Sequence, residues 1–125
     1  MPSYLEHVNV TVSDPEATAK MLSDLFGWRI RWHGEAIDNG VTYHVGGDNS
    51  YVAVYSKGGA KALGDSYESP GAMNHIGVVV DDLDATEARV SAAGFTPHMH
   101  ADYEPGRRFY FDAFDGIEIE VVSYS

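Results

Sequence analysis

The chain contains no cysteine, so neither a disulfide framework nor a thiolate metal site is available to it. Basic residues are scarce: eight Lys and Arg stand against nineteen Asp and Glu, for a formal net charge of -11. That balance excludes the clustered cations that nucleic-acid phosphates require, and it disfavours anionic membrane surfaces. The acidity itself reads as a source of solubility. No apolar run reaches the length of a membrane span. Met1-Pro2-Ser3-Tyr4 shows neither the charged nor the apolar region of a secretory signal, so a cytoplasmic location is expected. At 125 residues and 44% apolar content, the chain is long enough for one domain with a true core.

What the chain does have is an internal repeat. His7-Val8-Asn9-Val10-Thr11-Val12-Ser13-Asp14 matches His75-Ile76-Gly77-Val78-Val79-Val80-Asp81-Asp82. Ala17-Thr18 answers to Ala85-Thr86, Gly27 to Gly94, Tyr43 to Tyr110 and Asp48 to Asp115. The offset is 68 residues at first and 67 later, so one single-residue gap aligns the halves. Repeats of this kind set the architecture. Here the repeat also places two imidazoles at equivalent points of two equivalent modules.

Each module reads as β-α-β-β-β. Alternation over Leu5–Val12 marks a strand with His7, Asn9 and Thr11 on one face. Asp14 and Pro15 form a helix start, and Gly27 forms its stop. Ala17, Met21, Leu22 and Leu25 should face the sheet. Strands follow at Trp28–Gly34, Val41–Val45 and Ser50–Tyr55, with turn sequences at 38–40 and 46–49. Lys57 to Gly71 reads as a linker. The second module offers a strand at Met73–Val80 and a helix at Leu83–Ala93 behind Asp82. Further strands fall at Phe95–Ala101, Arg107–Asp112 and Ile117–Ser123, with Glu104-Pro105-Gly106 and Asp115-Gly116 as turns. Side-chain parity puts the aliphatic faces under the helices. His7, His75, Glu120, Tyr43 and Tyr110 should then line a concave surface of the kind that binds ligands.

His7, His75 and Glu120 together make a 2-His-1-carboxylate donor set. Such a set suits non-haem Fe(II) or a similar divalent ion with open positions. The remaining histidines, His33, His44, His98 and His100, read as surface or rim residues. Trp28 and Trp32, four apart, should share one face. Core packing is the default reading for them, with an aromatic wall for a planar ligand as the alternative. Arg107-Arg108 reads as an exposed strand-end pair, with an anion-holding role as the alternative. Asp14 and Asp82 read as helix caps.

These features resemble the vicinal oxygen chelate superfamily: glyoxalase I, bleomycin-resistance proteins, fosfomycin-resistance enzymes and type I extradiol dioxygenases. The likeness covers nearly the whole chain. It rests on His7, on His75 and on Phe109-Tyr110-Phe111-Asp112-Ala113-Phe114-Asp115-Gly116-Ile117-Glu118-Ile119-Glu120. That stretch is similar to the family's Tyr-Phe-x-Asp-Pro-x-Gly-x-x-x-Glu, with Phe114 where the family usually has proline. The resemblance implies an α+β fold and a single domain over 1–125, with module one at 4–56, the linker at 57–71 and module two at 72–124. The modules would form a cupped, barrel-like mixed sheet with helices outside, and the protein would be a homodimer. The modules could pair within a chain or swap between chains.

The resemblance further implies a divalent ion (Fe2+, Mn2+, Ni2+ or Zn2+) on His7, His75 and Glu120, and no organic cofactor. Tyr110 and Glu120 would be the catalytic residues, acting on a small substrate with vicinal oxygens. Glyoxalase-like lyases carry a fourth ligand at the position that Ala53 fills here, so the set leans toward dioxygenase-like chemistry. His98 and His100 come close to the histidine spacing of the dioxygenases without meeting it. The alternatives are a glyoxalase I-like lyase and a metal-free sequestering protein of the bleomycin-resistance kind.

Overall fold

The structure, a computed structural model, describes residues 3–59, 61, 64–103 and 106–125. Met1 and Pro2, part of the expected linker (Ala60, Ala62 and Leu63), and Glu104 and Pro105 of one expected turn lie outside the described residues. The chain divides into two compact units, Met1–Lys61 and Ala62–Ser125, and the division falls inside the expected linker. Each unit is a β-α-β-β-β module, as the repeat requires, and the fold is α+β.

The first module runs β1 (His7–Thr11), α1 (Pro15–Phe26), β2 (Arg29–Glu35), β3 (Val41–Gly46) and β4 (Tyr51–Ser56). The second runs β5 (His75–Val79), α2 (Leu83–Ala92), β6 (His98–Tyr103), β7 (Gly106–Asp112) and β8 (Glu118–Ser123). Each module carries its own four-stranded mixed sheet, ordered β1-β4-β3-β2 in one and β5-β8-β7-β6 in the other. In both, the first strand pairs parallel to the last, and the remaining pairs are antiparallel.

Both helices begin where the sequence places them. The Asp14 carboxylate accepts from the Ala17 N–H at 3.0 Å, and the Asp82 carboxylate accepts from the Ala85 N–H at 3.0 Å. Each carboxylate satisfies one of the unpaired donors at a helix start. Gly27 closes α1 in the left-handed region, with φ +69, where a side chain would be strained. The α1 face toward the sheet buries Thr18, Ala19, Met21, Leu22 and Leu25. Ala17, expected there, is only half-buried. Under α2 the core is aromatic as well as aliphatic: Phe109, Phe111, Ile119 and Val121 are fully buried.

One strand departs from expectation. Residues 95–97 do not extend β6, which begins at His98. The Phe95 N–H bonds back to the Val90 carbonyl at 3.2 Å. Its ring then seats against Phe111 and Phe114, at centroid distances of 5.6 and 5.5 Å. Phe95 thus plugs the exit of α2 and delays the strand.

Both modules also carry a bulge at equivalent places, between Ile30 and Trp32 in β2 and between His98 and Ala101 in β6. A bulge inserts a residue and reverses side-chain parity beyond it. Ile30 therefore pairs with Val45 while Trp32 pairs with His44, and these partners point to opposite faces. Trp28 and Trp32 do not share a face. Trp28 packs against Phe26 beside α1, at 5.2 Å between ring centroids, whereas Trp32 is 50% exposed on the opposite side.

Removing either cap should loosen its helix. Asp14→Ala and Asp82→Ala are each expected to lower the unfolding free energy by about 1 kcal/mol, measured by urea denaturation.

Candidate functional site

The parallel β5–β8 pair builds the second module's face. It sets His75 opposite Glu118, and Gly77 opposite Glu120. Antiparallel pairing then sets Tyr110 of β7 opposite Glu120 from the other side. A Cβ at Gly77 would meet nothing within 4 Å, so the space beside the Glu120 carboxylate is left open.

Three predicted residues come together here. The His75 Nε2 lies 3.0 Å from Glu120 Oε1. The Tyr110 ring meets the His75 ring edge-on, with centroids 5.7 Å apart. Burial first, and then the charge of Glu120 and a hydrogen bond to it, push the Tyr110 phenol above its ordinary value. Tyr110 therefore keeps its phenolic proton at neutral pH. The His75 Nδ1 is buried and has no hydrogen-bond partner among the described residues.

Two neighbours were not anticipated. Arg108 is not an exposed strand-end residue. Its Nη1 donates to Glu120 Oε2 at 2.8 Å, and the side chains of Arg108 and Glu120 are 11% and 13% exposed. The signal was present: Arg108 stands two residues before Tyr110 and so shares its face. Arg107 points the other way, to Asp84 at 3.0 Å. The second neighbour is Tyr67, from a short turn in the linker region. Its hydroxyl donates to Glu118 Oε1 at 2.6 Å. That bond is the main reason its pKa is pushed up to about 12. No local pattern marks Tyr67, because the linker has no period to read.

In the first module, His7 opens β1 and lies opposite Tyr51. The two rings stack at 4.7 Å with planes 10° apart. His44 stacks on Tyr51 at 4.5 Å, and Trp32 tilts against His44 at 5.1 Å. The Arg31 guanidinium lies 4.7 Å over the Tyr51 ring. Ala53 occupies the place that Glu120 holds in the other module, and His44, not Tyr43, lies opposite it. Tyr43 instead faces α1, where its hydroxyl reaches Glu16 at 3.4 Å, so its expected place on the concave surface is corrected. The β3–β4 connection spans residues 47–50 and the β7–β8 connection 113–117. The shorter one shifts β3 by one residue against the repeat.

His75 Nε2 and Glu120 Oε1 lie 3.0 Å apart, the separation of neighbouring ligand atoms on an octahedral divalent ion at about 2.1 Å, so this pair fits such an ion. His7 Nδ1 is hydrogen-bonded to Glu6 Oε1 at 2.8 Å. A carboxylate on Nδ1 fixes the tautomer that leaves the Nε2 lone pair for a metal. Within either module, no group of three His, Asp or Glu among the described residues forms a metal cage.

His44 is the module-one residue whose protonation the surroundings oppose. Burial, and then the charges of His7 and Arg31, hold its pKa below the ordinary histidine value. The unfolded chain thus takes up this proton first as pH falls, so acid favours unfolding. Stability should fall from pH 7.5 toward 5.5, across the ordinary value of about 6.5. In His44→Gln the loss over that window should be smaller than in wild type, as read by urea titration at each pH.

Similar proteins share this architecture. A glyoxylase/bleomycin resistance protein/dioxygenase domain from Frankia sp. EAN1pec superposes with a TM-score of 0.82 at 23% identity, covering 98% of each chain. A mutant of the fosfomycin resistance protein FosX from Listeria monocytogenes, complexed with Mn(II) and dihydroxypropylphosphonic acid, gives 0.75 at 20% identity, covering 98% of this chain and 93% of that one. TnmS3, an antibiotic binding protein from Streptomyces sp. CB03234, gives 0.74 at 19% identity, covering 99% and 98%. No curated protein matches. No described helix is long and apolar enough to cross a membrane. At these identities the structures establish the fold, while a family model matches residues 4–121 directly. The chain belongs to the Glyoxalase/Bleomycin resistance protein/Dioxygenase superfamily.

Proposed function

We propose that this protein is a divalent-metal-dependent enzyme acting on a small substrate with vicinal oxygens. His75 and Glu120 hold the ion, and His7 is the third donor, from the same chain or from a second copy in a cytoplasmic homodimer. The observation that carries this reading is the 3.0 Å approach of His75 Nε2 to Glu120 Oε1, beside a phenol. When bound, the metal supplies Lewis-acid polarisation of the chelated oxygens.

The chain's own residues do the rest. Tyr110, kept protonated, donates to an oxygen of the substrate that gains negative charge. Arg108 orients the Glu120 carboxylate through its 2.8 Å bond to Oε2. Glu6 orients His7. Ala53 leaves module one without a carboxylate at the place equivalent to Glu120, so the proton shuttle of a glyoxalase-like lyase lacks a member. The 2-His-1-carboxylate set favours dioxygenase-like chemistry instead. The Mn(II) complex of FosX supports a divalent ion in this architecture.

A second reading is metal-free sequestration of a small molecule. The ion pair between Arg108 and Glu120 favours it, because the carboxylate already has a cation. TnmS3, described as an antibiotic binding protein, has the same fold.

Metal analysis of protein prepared without a polyhistidine tag separates the two. The enzyme reading expects a stoichiometric divalent ion in wild type, lost in His7→Ala, His75→Ala and Glu120→Ala but retained in Tyr110→Phe. A wild-type protein that retains no ion, and takes up none from excess Mn(II), Fe(II), Ni(II) or Zn(II), supports sequestration.

A further inference from the structure

His75 has two carboxylates on its face, and it meets the farther one. The parallel register sets Glu118 directly opposite His75, on a strand about 4.8 Å away. Glu120 lies on the same face two residues further along β8, about 6.6 Å beyond Glu118. Yet it is Glu120 whose Oε1 lies 3.0 Å from His75 Nε2.

The nearer carboxylate is held aside by Tyr67. The Tyr67 hydroxyl donates to Glu118 Oε1 at 2.6 Å, the length of a charge-assisted O–H···O bond. Glu118 keeps a second oxygen with accepting capacity, so its acceptors are not exhausted. The effect is one of direction. Both oxygens belong to one planar group, and a short bond at one of them aims the other. Arg108 acts on the farther carboxylate in the complementary sense: it occupies Glu120 Oε2 at 2.8 Å and leaves Oε1 to face His75.

The turn that carries Tyr67 is fixed from outside this face. The Asp65 carboxylate accepts from the Tyr67 N–H at 2.9 Å, and Asn74 Nδ2 donates to the Ser66 carbonyl at 3.0 Å. Asn74 directly precedes His75, so one short stretch of chain both anchors the turn and begins β5. Tyr67 is 61% exposed, so burial of its ring does not account for its place.

We propose that Tyr67 is a positioning residue of this site: by holding Glu118, it assigns His75 to Glu120. The assignment concerns the free protein, so it stands or falls separately from the metal-dependent reading above.

Crystal structures of chelator-treated protein test it. Wild type should show the 3.0 Å approach of His75 to Glu120. Tyr67→Phe keeps the ring and removes the donor, and there His75 Nε2 should leave Glu120 for hydrogen-bond distance of Glu118. Adding Glu118→Ala to Tyr67→Phe removes the competitor and should return His75 to Glu120, a rescue that a merely structural role for Tyr67 would not produce. If Tyr67→Phe fails to fold, Asp65→Ala, which loosens the turn from outside the face, takes its place in both comparisons. An imidazole that stays with Glu120 in Tyr67→Phe overturns the proposal, as does a wild type in which His75 meets Glu118. So does an imidazole that leaves Glu120 in Tyr67→Phe and does not return once Glu118 is also removed.

Discussion

The parallel pairing of first and last strands is the constraint on which the rest of each module depends. Two strands that run the same way cannot be joined by a hairpin, so a crossover must connect them. Here the crossover contains a helix and two further strands, and it makes the whole module one closed unit of topology. The same pairing sets His75 opposite Glu118 and leaves Glu120 beside the bare backbone of Gly77. An imidazole and a carboxylate 45 residues apart in sequence thus meet on adjacent strands. Strand positions hold such groups more firmly than loops do.

The two modules use the same frame for different chemistry. In the second, ionic and phenolic groups crowd the face: Glu118 and Glu120, Arg108, His75, Tyr67 and Tyr110. In the first, the equivalent face is a run of stacked rings, His7, Tyr51, His44 and Trp32, with Arg31 above. Ala53 stands where the other module has a carboxylate, and the Arg31 guanidinium of β2 lies over the Tyr51 ring. Gly46 belongs to the same arrangement. It lies opposite Tyr51, and a Cβ there would overlap the Ser50 carbonyl and the Tyr51 backbone.

Much of this is legible in the residues. The repeat, both aspartate caps, Gly27 and the order of elements follow from local chemistry that tertiary contacts do not override. The grouping of His75, Tyr110 and Glu120 is legible too, because strand parity and one known motif suffice. What escaped depends on events without a periodic signature. The bulge at Arg31 separates Trp28 from Trp32, and counting by twos across a bulge fails. Phe95 looks like strand but sits half-buried with its ring against Phe111 and Phe114. Arg108 is the exception, since its parity with Tyr110 was readable, and its guanidinium reaches Glu120 diagonally from a place opposite Val122. Tyr67 sits in a linker whose path no pattern announces.

The one-residue difference between the turns after β3 and β7 reaches further than the turns themselves. It rotates β3 by half a pleat, so that an imidazole stands where the other module presents a phenol. In a sheet built this way, a deletion in a hairpin is equivalent to a substitution at every position of the strand it feeds. Such proteins can thus exchange the chemistry a sheet presents on one face without altering a single residue of the strand.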